Sequence, residues 1–157
     1  MGKNAKKDID RIKPSVNLSL RVALRLPEFE GSRSLDSLRG IQVIFYVDEA
    51  FESSLIELLQ DRTILKKFKF VIDLIRSNKM NRDVYGSEKN SDKSKDVYAI
   101  KIRVKGNHRI YCKEFGFPGV RRIVLIRHVH KKKDNFNREL RSLVDTIGEY
   151  RYEFEES

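Results

Sequence analysis

The sequence predicts an α+β domain: an antiparallel sheet of about four to five strands packed against two helices from its N-terminal half, with a C-terminal helix and an extra N-terminal strand. Three observations predict it. Residues 16–26, VNLSLRVALRL, alternate between apolar and polar side chains, which is the period of a half-buried strand. Residues 49–75 carry apolar side chains at helical spacing in two successive runs. Residues 97–129 hold three further short apolar runs, and 135–148 return to a helical stripe.

The first strand points Val16, Leu18, Leu20, Val22, Leu24 and Leu26 one way, and Asn17, Ser19, Arg21 and Arg25 the other. Pro27 ends it, and EFEGSRSLDSLRG is a turn-rich connection. IQVIFYV, residues 41–47, is short and apolar enough for an interior strand. Asp48 is placed to cap the helical region that follows, with Glu49 and Glu52 near its positive end. Phe51, Leu55, Leu58 and Leu59 form its apolar stripe. Asp61 restarts the pattern for Ile64, Phe68, Val71, Ile72 and Ile75. Residues 78–96 are polar and turn-rich and read as a mobile loop. Strands follow near 97–104, 108–115 and 122–129, and the last helix shows Phe136, Leu140, Leu143, Val144 and Ile147 on one face.

The chain of 157 residues is one domain's worth. The boundaries expected are a basic, disordered tail at 1–15, the extra strand and its connection at 16–40, the main domain at 41–150, and an acidic tail at 151–157. One cysteine, Cys112, excludes an internal disulfide and a multi-thiolate metal site. No apolar run approaches the length that crosses a bilayer, and the first residues lack the apolar stretch of a secretory signal. A cytoplasmic protein with no membrane partner is the expectation.

The net charge of +10 is localised. Of 33 Lys and Arg, eleven fall within residues 97–133 beside a single acid, Glu114, which leaves 22 basic against 22 acidic residues elsewhere. A clustered positive field suits a phosphate-rich partner.

Charge also sets the register of the hairpin at 97–115. Tyr98, Ile100, Ile102 and Val104 face one way, and Lys101, Arg103 and Lys105 the other. A two-residue turn at Gly106 and Asn107 would push Arg109 into the apolar face. Burying an unpaired guanidinium costs several kcal/mol, on the order of 3–5, so a loop with an odd number of residues is expected. That parity puts Arg109, Tyr111 and Lys113 with Lys101 and Arg103. Arg127 extends the same face, and Lys131, Lys132 and Lys133 follow the third strand. Such a face can grip a single strand through phosphate contacts and base stacking, with Lys101, Arg103, Lys105, Tyr111, Lys113, Arg127, Lys131 and Lys133 as candidate nucleic-acid contacts. A solvated sheet face with lysines that deter edge pairing is the plainer reading.

His108, His128 and His130 lack the neighbouring acids of a metal site, and no carboxylate pair in the basic segment suits two-metal chemistry. No metal and no cofactor are expected. RNA cleavage needs neither, because the attacking 2′-hydroxyl belongs to the substrate. The protein orients it, accepts its proton and stabilises charge on the phosphate. His128 and His130 suit proton transfer near neutral pH, and a lysine crowded by cations is a second option.

YAIKIRVKGNHRIYC followed by IVLIRHVHKKKDNFNREL, after a strand and two helices, resembles the RelE/ParE toxin superfamily of type II toxin–antitoxin systems, closest to its HigB-like, phage-derived branch. The similarity spans residues 41–147 and lies in the order and spacing of its parts. It implies a RelE-like fold and a metal-independent endoribonuclease (an mRNA interferase) acting on mRNA on the ribosome. It also implies neutralisation by an antitoxin that offers an acidic or amphipathic helix and carries a DNA-binding domain. By position, Lys101, Arg103 and Arg109 match the family's phosphate-contacting and catalytic basic residues. Lys132 stands where relatives often carry a catalytic arginine, and His128 with Lys131, Lys132 and Lys133 matches the HigB-like segment. The catalytic set implied is Arg109, Lys132, His128 and His130. Two positions depart from the pattern: lysine at 132 cannot reproduce bidentate arginine clamping, and Phe136 has no hydroxyl where many relatives have tyrosine. A ParE-like inhibitor of DNA gyrase and a catalytically inert nucleic-acid-binding module are the alternatives.

Overall fold

The computed structural model describes residues 20–30, 41–79, 81–131 and 137–156. The elements in order are β1 (Leu20–Arg25), β2 (Gln42–Asp48), α1 (Glu52–Leu58), α2 (Arg62–Arg76), β3 (Tyr85–Ser87), β4 (Val97–Ile102), β5 (His108–Phe117), β6 (Val120–His130), α3 (Arg138–Gly148) and β7 (Arg151–Glu155). The class is α+β. The tail expected at 1–15, residues 16–19 of the expected first strand, and residues 31–40 of its connection lie outside the described residues.

Among the described residues, seven strands form one mixed sheet in the order β3-β4-β5-β6-β2-β1-β7. This corrects the expected antiparallel sheet of four to five strands. β2 pairs with β6 in parallel, and β1 with β7 likewise. The first parallel pair follows from connectivity. The two helices carry the chain back so that β4 runs with β2, and two hairpin reversals then give β6 the same direction. The polar stretch at 78–96 is not simply a loop: Tyr85, Gly86 and Ser87 pair with Ile100, Ala99 and Tyr98. Residues 151–155 are not a tail. Their RYEFE alternation is a strand, with Tyr152 and Phe154 turned inward and the charges outward.

α2 and α3 each start where a side chain satisfies free amides. The Asp61 carboxylate accepts from the amides of Thr63 and Ile64 at 2.9 and 3.2 Å, and Asn137 accepts from Leu140 at 3.0 Å. Asp48 accepts from the Ala50 amide at 2.8 Å and so caps the short 3₁₀ turn Glu49–Phe51 ahead of α1. The α2 stripe of Ile64, Phe68, Val71, Ile72 and Ile75 is buried. It packs with Val43, Phe45, Val47, Ile100, Ile102, Ile110, Ile123 and Leu125 on one face of the sheet.

The other face has a core of its own. Leu140, Val144 and Ile147 of α3 pack with Val97, Ala99, Tyr111, Val124 and Ile126. Phe115, Tyr152 and Phe154 continue this layer beyond the helix. Phe154 on β7 lies 5.4 Å, centroid to centroid, from Phe115 on β5. Four strand spacings separate those strands, which in a flat sheet would be about 19 Å. The sheet therefore coils until β7 leans back over its second face.

Candidate functional site

The β4–β5 register pairs Ile102 with His108, Lys101 with Arg109, Ala99 with Tyr111 and Val97 with Lys113. The loop has five residues, so the parity expected from charge holds, and Lys101 and Arg109 share the second face. The turn needs positive φ at Lys105 (53°) and Gly106 (119°), and glycine suits the second of these best. A Cβ on Gly106 would also lie 2.4 Å from His130 Nε2.

Much of the expected basic face is engaged within the fold. Arg109 is buried and ion-paired with Glu88 at 2.6 Å, the two side chains being 8% and 10% exposed. Lys101 Nζ donates to the Arg82 carbonyl and an Arg103 guanidinium N–H to the Asp83 carbonyl, both at 3.1 Å. Burial, followed by the Arg109 and Arg103 charges, lowers the Lys101 pKa, against the pull of Glu88. Lys105 Nζ reaches Asp61 at 2.9 Å. Tyr111 is fully buried beneath α3 and offers no ring to a base, which corrects its assignment as a stacking platform. Burial pushes its phenol up to about 12. Lys113 Nζ donates to the carbonyls of Gly148 and Tyr150 at 2.8 and 2.7 Å and so closes the end of α3. Lys131 is buried, its amide donating to the Asn107 carbonyl at 2.7 Å. Lys132, Lys133 and Phe136 lie outside the described residues.

The three histidines meet at the far end of the sheet from the β5–β6 turn. His108 and His130 are directly opposed on β5 and β6, and their rings stack at 4.5 Å. His108 Nδ1 lies 2.9 Å from His128 Nε2, and His108 Nε2 lies 3.0 Å from the Lys105 carbonyl. A carbonyl can only accept, so His108 carries its proton on Nε2 and accepts at Nδ1 from His128 Nε2–H. His128 is left with its lone pair on Nδ1. Burial first, then the neighbouring His108 and His130, lower its pKa below the usual 6.5, so it is neutral at pH 7.

A bulge in β6 prepares the neighbouring groups. The register steps from Tyr111–Arg127 to Cys112–Leu125, leaving Ile126 as the extra residue. Arg127 thereby stays on the second face and His128 returns to the first. β2 stops pairing at Val47–Leu125, so β6 runs on without that neighbour. At this open end lies a cleft of about 330 Å³ lined by Arg21, Ala50, Phe51, Ser54, Ile126, Arg127, His128, Ile147 and Tyr150. Arg127, predicted from sequence, is exposed there. Arg21, Ser54 and Tyr150 were not expected at a site. Alternation places Arg21 on the polar side of its strand, but nothing in the sequence signals its approach to Arg127. Glu88, the partner of Arg109, lay in the segment read as a loop.

Among the described residues, no group of three or more His, Cys, Asp or Glu side chains is arranged to hold a metal ion. No described helix is long and apolar enough to cross a membrane. No protein-family model, curated protein or solved structure matches the chain.

Proposed function

We propose that this chain is a metal-independent endoribonuclease of the RelE/ParE toxin kind, cytoplasmic, acting on ribosome-bound mRNA and held in check by an antitoxin. The reading rests on the residues that resemble that superfamily and on one structural observation: His128, which keeps an acceptor nitrogen, and Arg127 line one cleft from opposite faces of the β6 edge, and its lining among the described residues includes no carboxylate. In this chemistry the 2′-oxygen attacks the adjacent phosphorus and its proton passes to His128 Nδ1. The bond from phosphorus to the 5′-oxygen breaks, leaving a 2′,3′-cyclic phosphate and a 5′-hydroxyl. Arg127 stabilises charge on the phosphoryl oxygens as it builds up. His130, the exposed ring of the stack, is assigned the proton for the departing oxygen. Lys101 and Arg103, at the same end of the sheet on β4 and the turn that follows it, serve as phosphate contacts outside the cleft.

The Arg109–Glu88 pair favours a second reading. A guanidinium already neutralised by a buried carboxylate contributes little to a phosphorane, which suits a nucleic-acid-binding module without cleavage. The two are separated by incubating the purified chain, with EDTA present, with labelled RNA and with translating ribosomes, and mapping the ends. Cyclic-phosphate ends made by the wild type and lost in His128→Gln support the nuclease. Salt-dependent binding with intact RNA supports the module, and inhibited DNA supercoiling with intact RNA supports a gyrase inhibitor.

A further inference from the structure

We infer that the cleft at the open end of β6 takes a single unpaired ribonucleotide, with Arg21 and Arg127 on its phosphate and Ser54 as a hydroxyl partner. The inference deepens the nuclease reading, since His128 belongs to the same cleft, and names the form of RNA that enters it.

The site is built at a place where the sheet changes character. β2 and β6 are parallel, and the cleft lies beyond the carboxyl end of β2, where β2 turns into the 3₁₀ segment and β6 continues paired with β5 alone. Backbone that diverges there leaves a crevice, as it does at comparable positions in open α/β sheets. β1 is antiparallel to β2, so Arg21 comes from near its beginning and arrives beside the end of β2.

Arg21 is held rigidly. Its Nε and one terminal N–H meet the Asp48 carboxylate at 2.5 and 3.3 Å, and its guanidinium lies 4.3 Å from the Tyr150 ring centroid. Asp48 is itself buried, and Tyr152 donates to it at 2.7 Å. The carboxylate engages two of the five guanidinium N–H donors. A charged fork fixed this way loses little freedom on meeting an anion. Arg127 on β6 and Ser54 on α1 are exposed at the same cleft.

Size and lining choose the ligand. A volume of about 330 Å³ is at the small end of ligand pockets, which suits one nucleotide and excludes a duplex. Tyr150, half-buried, supplies a ring for a base, the buried Phe51, Ile126 and Ile147 an apolar floor, and the two arginines a phosphate clamp. A nucleotide bearing a 3′-phosphate brings its 2′-hydroxyl to the same cleft as His128.

The test uses the full chain and adenosine 3′-monophosphate, followed by backbone amide chemical shifts. Saturable shifts at residues 50–54, 126–128 and 147–150 are expected. Arg127→Gln, at an exposed position, weakens binding about tenfold or more, and Ser54→Trp, which fills the cleft from an exposed helix position, abolishes it. Both variants keep the wild-type amide spectrum elsewhere. Shifts confined to residues 101–105, or none that saturate, overturn the inference. So does a Ser54→Trp variant that still cleaves single-stranded RNA at the wild-type rate, an outcome that leaves the nuclease reading standing. Nucleotide held in the cleft by a protein that cleaves no RNA supports the cleft and removes the nuclease.

Discussion

His128 Nε2 lies 2.9 Å from His108 Nδ1, and the Lys105 carbonyl on the far side of His108 decides which of the two donates. The proton order runs from His128 to His108 to the backbone, which leaves His128 Nδ1 as an acceptor. The chain of contacts thus favours His128 as the ring that takes up a proton.

Activity and stability should both depend on this ring. As a base, His128 supports cleavage only while neutral, so the rate should fall as pH drops through a value below 6.5. The folded pKa is depressed, so the unfolded chain binds the proton first. Stability is therefore full above about pH 6.5 and declines as pH falls through the folded value. Urea unfolding across pH 5 to 8 (roughly the range of histidine titration) should show this slope flattened in His128→Gln. An unchanged slope would remove the ring from both roles.

The Arg109–Glu88 pair should matter to the fold before it matters to any ligand. Both side chains are about nine-tenths buried, and Glu88→Gln leaves a guanidinium without its counter-charge, at a cost of about 3 kcal/mol. The same change should strengthen RNA binding and steepen its salt dependence by about one phosphate contact, roughly 0.7 in the logarithmic slope for a single strand. Denaturation and a salt titration measure the two effects separately. Stability loss without any gain in binding would mean that Arg109 is purely structural.

Lys113 should act as the stop of α3. Its ammonium satisfies the carbonyls of Gly148 and Tyr150, and Lys113→Met removes two charge-assisted bonds at a partly buried place. A loss of about 1.5–3 kcal/mol is expected. Hydrogen exchange should quicken in residues 144–150 and leave β4 protected. Uniform acceleration across the sheet would contradict a local role.

Gly106→Ala should be costly for two separable reasons. Its φ of 119° disfavours any L side chain, and the added methyl would meet His130 Nε2 at 2.4 Å. A loss of about 1–3 kcal/mol is expected. Adding His130→Ala should recover only the part due to collision, because the backbone strain remains. Full recovery in the double variant, measured by urea unfolding, would show that φ is not limiting.

Some of this arrangement was legible beforehand. The α2 stripe, the Asp61 cap and the β4–β5 parity follow from contacts between residues close in sequence or forced by one charged group. β7 carried a readable signal, the alternation of Tyr152 and Phe154 with charged residues, but five residues at a charged terminus resemble a tail. β3 is shorter still and contains Gly86, so local propensity says little about it and pairing to β4 does the work.

By itself the sequence determined which side chains share a face. Period-two alternation and the cost of burying an unpaired arginine allow only one parity for Lys101 and Arg109. Tertiary structure decided what each face meets. α3 covers Tyr111, Glu88 neutralises Arg109, and Arg21 arrives beside Arg127 from 106 positions away in the chain. The physical reason is that alternation is a property of neighbouring residues, whereas burial and ion pairing depend on segments that only the coiled sheet and its connections bring together.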